Sequence, residues 1–163
     1  HKELEMGAFS KHSMYGYELV KNKDLDQSIK QAVLTHHEHA DGSGFPLGVD
    51  NKSLNPIQRV IEIVDVYDTL LMREPGFKRM SPFEVLILLN EVEGNKYDPS
   101  ALLIFTSRLA QTFIQCRVRL NNGQEGKIVL FNKYSILRPL IQVGSGFVDL
   151  ALRKDLNIVE LLD

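Results

Sequence analysis

The spacing of apolar residues changes once along this chain of 163 residues, near residue 115. Before that point apolar side chains recur every three to four residues, which places them on one face of a helix. After it they alternate with polar residues over short runs, which is typical of strands. The sequence therefore predicts a mainly α fold, with helices over residues 1–114 and a small β-rich extension over residues 115–163.

Helix-start signals divide the helical part in sequence order. The predicted helices are Met6–Lys21, Asp26–His37 with Asp24 or Asp26 as N-cap, one that begins at Asn55 and Pro56, one that opens with the capping box Ser81–Glu84, and one that begins at Asp98-Pro99. In the third helix, the apolar stripe Ile57, Val60, Ile61 and Val64 is expected to face inward together with Asp65. In the tail, Asn121-Asn122-Gly123 predicts a tight hairpin, followed by strands at 128–131, 139–143 and 147–152.

Composition excludes several classes of protein. Nineteen basic and 21 acidic residues give a net charge of −2, which argues against a surface that coats a nucleic acid polymer. Cys116 has no second cysteine to pair with, so a reducing compartment, the cytoplasm, is expected. The longest apolar run, Val85–Leu89, is far shorter than the ~20 residues of a membrane span.

Four residues that can bind metals fall on the apolar stripes of their helices: His12, His36, His37 and Asp65. A buried carboxylate needs a partner, and no Lys or Arg shares the stripe of Asp65. A metal ion would satisfy this carboxylate and the three imidazoles together; Fe, Mn, Zn and Ni all accept such ligands. The alternative is that these are ordinary core histidines. His1 and His39 are expected to be exposed and without a role.

The loop after the histidine pair carries a more specific signal. Residues 36–46 read HHEHADGSGFP, which resembles the HHExxDGxGYP signature of the HD-GYP family with Phe45 in place of Tyr. Residues 10–16, 59–68 and 80–84 are similar to further family segments, and residues 119–139 resemble a β extension often fused to these domains. The resemblance covers nearly the whole chain and implies the C-terminal part of an HD-type helical bundle followed by a small β module.

The resemblance also implies a function. Members of this family are bacterial, metal-dependent phosphodiesterases that hydrolyse cyclic di-GMP to pGpG or GMP with two or three divalent ions, Fe or Mn most often. By motif, His12, His36 and His37 would ligate one ion and Asp65 its neighbour. The residues expected to contact substrate are Asp41, Gly44, Phe45, Pro46, Arg73 and Lys78. The resemblance also allows a protein partner, a diguanylate cyclase (GGDEF) domain that binds through the GYP-like loop.

The chain departs from the family pattern in three places. No His is followed by Asp, so the HD dipeptide and its Lys are expected upstream of His1, and the catalytic residues stay unassigned. Phe45 lacks the phenolic hydroxyl of the signature Tyr. Arg73 and Lys78 lie one residue away from the places of the family's phosphate-holding basic residues. Two alternatives therefore stay open: a degenerate module that binds cyclic di-GMP or a protein without turnover, and an HD phosphohydrolase of another nucleotide.

Overall fold

The computed structural model describes residues 11–72, 80–132 and 134–162. Within these ranges the helices are α1 (His12–Val20), α2 (Gln27–Thr35), α3 (Pro56–Leu71), α4 (Pro82–Ile87) and α5 (Pro99–Thr112). The strands are β1 (Arg117–Leu120), β2 (Glu125–Asn132), β3 (Ser135–Val143), β4 (Gly146–Asp149) and β5 (Ile158–Leu161). Short 3-10 helices cover Asn51–Ser53 and Gly94–Lys96, and a π-helical turn covers Leu88–Val92. Arg73 and Lys78 lie outside the described residues.

The change from helix to strand falls between Thr112 and Arg117, close to the predicted change of period. In space the described residues group differently, into two compact units. Unit 1 takes residues 11–66 and 93–102, and unit 2 takes residues 67–72, 80–92, 103–132 and 134–162. The division into domains at residues 114 and 115 stays a prediction.

The helix starts confirm the capping signals read from the sequence. The Asp26 carboxylate accepts a hydrogen bond from the Ser28 amide and caps α2. Asn55 accepts from the Gln58 amide while the Gln58 side chain accepts from the Asn55 amide, which closes a capping box on α3. Ser81 and Glu84 form the same reciprocal pair on α4. These side chains satisfy backbone amides that have no partner within the helix.

Unit 1 depends on a close approach of α1 and α2. A Cβ atom on Gly16 would lie 2.9 Å from the Cγ1 atom of Val33, so only glycine fits here without a shift of the neighbour. Ala32 and Ser13 are buried in the same two helices. The missing side chain at Gly16 therefore lets the two helices pack closely.

The prediction that the apolar stripe of α3 faces inward is wrong. Ile57, Val60, Ile61 and Val64 are between 37% and 46% exposed, whereas the buried residues of α3 are Gln58, Glu62 and Ile63. The buried polar side chains are accommodated because each has a partner: Gln58 donates to Thr35, and Glu62 accepts from His39. Helical spacing alone identifies an apolar face but cannot show that a hydrogen-bonded polar face is the one that is buried.

In unit 2 the strands form one antiparallel sheet in the order β4-β3-β2-β1-β5. The Asn121-Asn122-Gly123 turn joins β1 to β2 as predicted, with Gly123 at a positive φ of 85°. β5, which pairs with β1, was not predicted from the sequence. One face of the sheet and α4 enclose the core, whose buried members are Phe83, Val118, Leu120, Ile128, Ile141, Leu150, Leu156 and Ile158.

Arg138 on β3 ties the sheet to the segment that follows β4. Its guanidinium donates hydrogen bonds to the carbonyl oxygens of Leu150, Arg153 and Leu156 and to the side chain of Asn157. A planar guanidinium with five donors can serve several carbonyls at once, which a shorter side chain cannot do.

Arg138→Ala should destabilise the sheet unit, because hydrogen bonds from a charged group contribute roughly 1.5–3 kcal/mol and two part-buried carbonyls, of Leu150 and Leu156, would lose their donor. The expected loss is about 2 kcal/mol or more in the free energy of unfolding, measured by urea denaturation. Arg153→Ala is the matched control, because the Arg153 side chain pairs with Asp155 at the surface. Equal stability of the two variants would contradict a structural role for Arg138.

Candidate metal centre

Three of the predicted metal ligands converge in unit 1. The Nε2 atom of His12 lies 2.9 Å from Nε2 of His36 and 3.1 Å from Nε2 of His37. His12 is the first residue of α1, and His36 and His37 directly follow α2. The close packing of α1 and α2 therefore brings the start of one helix against the end of the other.

The spacing of these nitrogens suits one ion. Two imidazole nitrogens that each lie about 2.0–2.1 Å from a metal are separated by about 2.9 Å at a right angle and about 3.4 Å at a tetrahedral angle. The observed 2.9 and 3.1 Å fall within that range. Among the described residues, these three histidines are a group whose ligand atoms all lie within 4.8 Å of one another.

The other ring nitrogens of the pair face hydrogen-bond acceptors. Nδ1 of His36 lies 2.9 Å from the Val33 carbonyl oxygen, and Nδ1 of His37 lies 3.4 Å from Oδ2 of Asp65. A proton held on Nδ1 by such an acceptor leaves the lone pair on Nε2, which is the usual arrangement around metal-binding histidines. The tautomer that the Val33 carbonyl favours for His36 is thus the one that could bind an ion, and Asp65 lies on the corresponding side of His37.

Asp65 occupies a different place from the three imidazoles. Its carboxylate contacts the Nδ1 side of His37, whereas His12 contacts the Nε2 side. Its side chain is 36% exposed, more than expected for a residue on an inward face. Arg59 does not pair with it; that guanidinium binds Asp98 and two backbone carbonyls. The role of Asp65 as a metal ligand stays a prediction.

Burial keeps His37 neutral. Loss of solvent, together with the neighbouring His36 imidazole, lowers the pKa of His37 to about 4, although Asp65 opposes this shift. A neutral imidazole is the form that binds a metal ion. Near neutral pH this side chain therefore needs no proton loss before it could act as a ligand.

The signature loop folds back on the histidine pair. Glu38 is fully buried, and its two carboxylate oxygens accept from the amides of Leu47 and Val49. A Cβ atom on Gly44 would lie 2.4 Å from backbone atoms of residues 37–39, which excludes any side chain at this position. These contacts explain why the loop needs a Glu and a Gly at this spacing.

Two other loop residues predicted for the site, Asp41 and Phe45, make different contacts. Asp41 is exposed, and its carboxylate accepts hydrogen bonds from the amide and hydroxyl of Ser43, so its contact with substrate stays a prediction. The ring of Phe45 packs on the ring of His37 with centroids 4.6 Å apart, and a cis peptide bond joins Phe45 to Pro46. Phe45 thus contacts a candidate metal ligand directly; its contact with substrate stays a prediction.

The expectation that His39 is exposed is wrong, because its side chain is 21% exposed and bonded to a buried residue. Nδ1 of His39 lies 2.8 Å from Oε1 of Glu62, and its ring contacts the edge of Tyr97. Glu62 is 1% exposed, and its burial raises its pKa while the bond to His39 opposes that shift. The sequence signal for this buried pair was Glu62, which shares a helix face with Gln58. The partner of Glu62 could not be found from local spacing, because His39 lies 23 residues away.

A family model and several known proteins match parts of this chain. A protein-family model described as an HD domain matches residues 2–101. The chain belongs to the HD domain family. A cyclic di-GMP phosphodiesterase of Pseudomonas aeruginosa is 25% identical over 140 residues, which cover 85% of this chain and 34% of that protein. The cyclic di-GMP phosphodiesterase response regulator RpfG of Xanthomonas campestris is 32% identical over 114 residues, 67% of this chain and 30% of that protein.

A solved structure of an HDG"Y"P protein from Bdellovibrio bacteriovorus matches 58% of this chain and 29% of its own, with a TM-score of 0.49 and 22% identity. The HD domain match and the named relatives confirm the resemblance of this HD protein to the HD-GYP family. The chain spans about a third of the length of the two curated relatives. Among the described residues, no helix is both long and apolar enough to cross a membrane.

The pKa of His37 generates a prediction for the metal-free protein. The unfolded imidazole takes up a proton below about pH 6.5, whereas the folded one does so only near pH 4. Between these values the unfolded state binds more protons, so stability is lost as the pH falls. Between pH 7 and pH 5 this residue should account for a loss of about 2 kcal/mol.

The measurement is urea unfolding of metal-free protein at both pH values, followed by far-ultraviolet circular dichroism. His37→Gln removes the titrating group, so its loss of stability on acidification should be smaller than that of the natural chain by that amount. An identical pH dependence in the two proteins would contradict a lowered pKa.

Proposed function

We propose that this chain carries the metal centre of a bacterial phosphodiesterase that hydrolyses cyclic di-GMP to pGpG or GMP. The observation that carries the proposal is the convergence of three imidazole Nε2 atoms next to an HHExxDGxGFP loop. The names of the two curated relatives support the substrate class. Because fold alone does not define a substrate, the signature loop bears most of that claim.

His12, His36 and His37 would hold one divalent ion, with Asp65 serving a neighbouring ion in a centre of two or three Fe or Mn ions. When bound, such ions polarise a phosphoryl oxygen, lower the pKa of a bound water and offset negative charge. This last effect matters because a chain with a net charge of −2 has to accept an anionic substrate.

The protein's own residues would orient these groups. The Val33 carbonyl fixes the ring of His36, and the Asp65 carboxylate faces Nδ1 of His37. The ring of Phe45 covers one side of His37 and limits its motion. Asp41, Gly44 and Pro46 would shape the loop over substrate, and Arg73 and Lys78 would hold phosphate. A cytoplasmic location and a GGDEF-domain partner belong to the same proposal.

A module that binds cyclic di-GMP without turnover is the second candidate. The observation that favours it is Phe45, which offers an apolar ring where the family signature has a phenol. Its ring lies against His37, so it can support a ligand site without contributing a hydrogen bond to phosphate. An HD phosphohydrolase of another nucleotide is the remaining alternative.

The decisive experiment combines metal analysis with turnover on one sample. The protein as the cell makes it is purified without exposure to air, its Fe and Mn contents are measured, and hydrolysis of cyclic di-GMP is followed by chromatography. His36→Gln and His37→Gln should lose both metal and turnover, whereas Arg153→Ala at the surface should keep both. A protein that holds metal and binds cyclic di-GMP without hydrolysing it would favour the module without turnover. A protein that hydrolyses only a different nucleotide would favour the HD phosphohydrolase.

Phe45 gives a sharper prediction about catalysis. If a hydroxyl at this position can bond a phosphate oxygen in the transition state, Phe45→Tyr should raise turnover of cyclic di-GMP about tenfold, because ~1.4 kcal/mol of selective stabilisation corresponds to that factor. Phe45→Leu removes the ring that covers His37 and should lower metal content. Unchanged turnover in Phe45→Tyr, together with metal loss in Phe45→Leu, would make the ring a packing residue alone.

A further inference from the structure

The buried pair of His39 and Glu62 is not used by the proposed metal centre. Oε1 of Glu62 lies 2.8 Å from Nδ1 of His39, and Oε2 is buried without a hydrogen-bond partner. Burying a carboxylate with so few partners costs free energy. A chain that keeps Glu62 at a 1% exposed position must gain something from the bond that this residue makes.

That bond attaches the histidine pair to α3. His39 lies two residues after His37, and Glu62 lies three residues, about one helical turn, before Asp65. The Asp65 carboxylate lies 3.4 Å from Nδ1 of His37. One face of α3 therefore contacts the turn at residues 37–39 twice. Asp65 contacts His37 at the beginning of the turn, and Glu62 contacts His39 at its end.

The turn has further contacts that hold its shape but do not join it to α3. The amide of Phe45 donates to the carbonyl of His37, and the amide of Gly42 donates to the carbonyl of His39. The amide of Ala40 donates to the carbonyl of Lys96. Among these contacts of the turn, the bond between His39 and Glu62 is the hydrogen bond that joins the turn to α3.

On the basis of the metal centre in the proposed function, we propose that Glu62 is a positioning residue that acts through His39. By holding His39, it fixes the turn so that Nε2 of His37 stays within about 3 Å of Nε2 of His12, the separation that one shared ion needs. It thereby sets the affinity of the site for a divalent ion, without touching that ion or the substrate.

The role assigned to Glu62 is that of a hydrogen-bond acceptor. Glu62→Gln keeps an acceptor oxygen at the same place and should preserve metal affinity. Glu62→Leu fills a similar volume but cannot accept a hydrogen bond. His39→Phe keeps a ring next to Tyr97 and loses the donor. The double variant Glu62→Leu/His39→Phe replaces both polar partners by apolar groups, which preserves folding because no buried polar group is left alone.

The test is a titration of the metal-free full chain with Mn²⁺, in which electron paramagnetic resonance measures the free ion. Direct partners of metal-binding histidines typically change metal affinity by about 10–100-fold. Glu62 acts one step further out, through His39, so Glu62→Leu and the double variant should bind Mn²⁺ about tenfold more weakly, at the lower end of that range. Glu62→Gln should stay within about threefold of the natural chain. Because Glu62 acts through His39, the double variant should bind no more weakly than either single variant.

Gln58→Ala is the matched control. Gln58 lies one turn before Glu62 on the same buried face of α3, and it donates a buried hydrogen bond to Thr35, the residue before His36. This variant should lower the unfolding temperature and leave Mn²⁺ affinity unchanged. A merely structural role for Glu62 would instead make affinity follow stability in both variants.

The outcomes separate this inference from the proposed function. The positioning role is overturned if folded Glu62→Leu binds Mn²⁺ as tightly as the natural chain, or if Glu62→Leu and Gln58→Ala lose the same Mn²⁺ affinity. Either result leaves the proposed function standing. Tenfold weaker Mn²⁺ binding with rescue in Glu62→Gln supports the positioning role, even if cyclic di-GMP is never hydrolysed. Absence of Mn²⁺ binding by the natural chain overturns both.

Discussion

Three imidazole nitrogens can share one ion only if the helices that carry them pack closely. In this chain the contact of Gly16 with Val33 makes that possible, since Gly16 lies one turn from His12 and Val33 lies one turn from His36. A side chain at Gly16 would clash with the Val33 side chain, which would have to shift. The rest of the site is built around this contact, because the signature loop begins where α2 ends.

The loop and the helices beside it are held by polar groups buried in unit 1. Glu38 accepts hydrogen bonds from two backbone amides of the loop, and Glu62 accepts one from His39. A hydrogen bond fixes direction as well as distance, whereas apolar contacts tolerate sliding. A site that must hold ring nitrogens about 3 Å apart gains from such fixed contacts. Unit 2 has the opposite character, because its core is a continuous group of apolar side chains between α4 and the sheet.

Much of the fold was determined by local sequence. The caps at Asp26, Asn55 and Ser81 were predicted because an N-cap side chain binds an amide two or three residues ahead. The Asn-Asn-Gly hairpin was predicted because its glycine permits a positive φ. β5 was missed, because its pairing with β1 joins segments about 40 residues apart and leaves no short-range pattern.

The candidate site likewise has features that local sequence predicts and features that depend on contacts between distant residues. The sequence by itself identified the candidate ligand group, since His36, His37 and the HHExxDGxGFP loop lie within one continuous segment and His12 lies on a helix nearby. Only the tertiary structure decided which face of α3 is buried, where Asp65 lies relative to His37, and that His39 has a partner in Glu62. The physical reason is that burial and hydrogen bonding between distant residues depend on how helices pack, and side-chain spacing along one helix reports only which residues share a face.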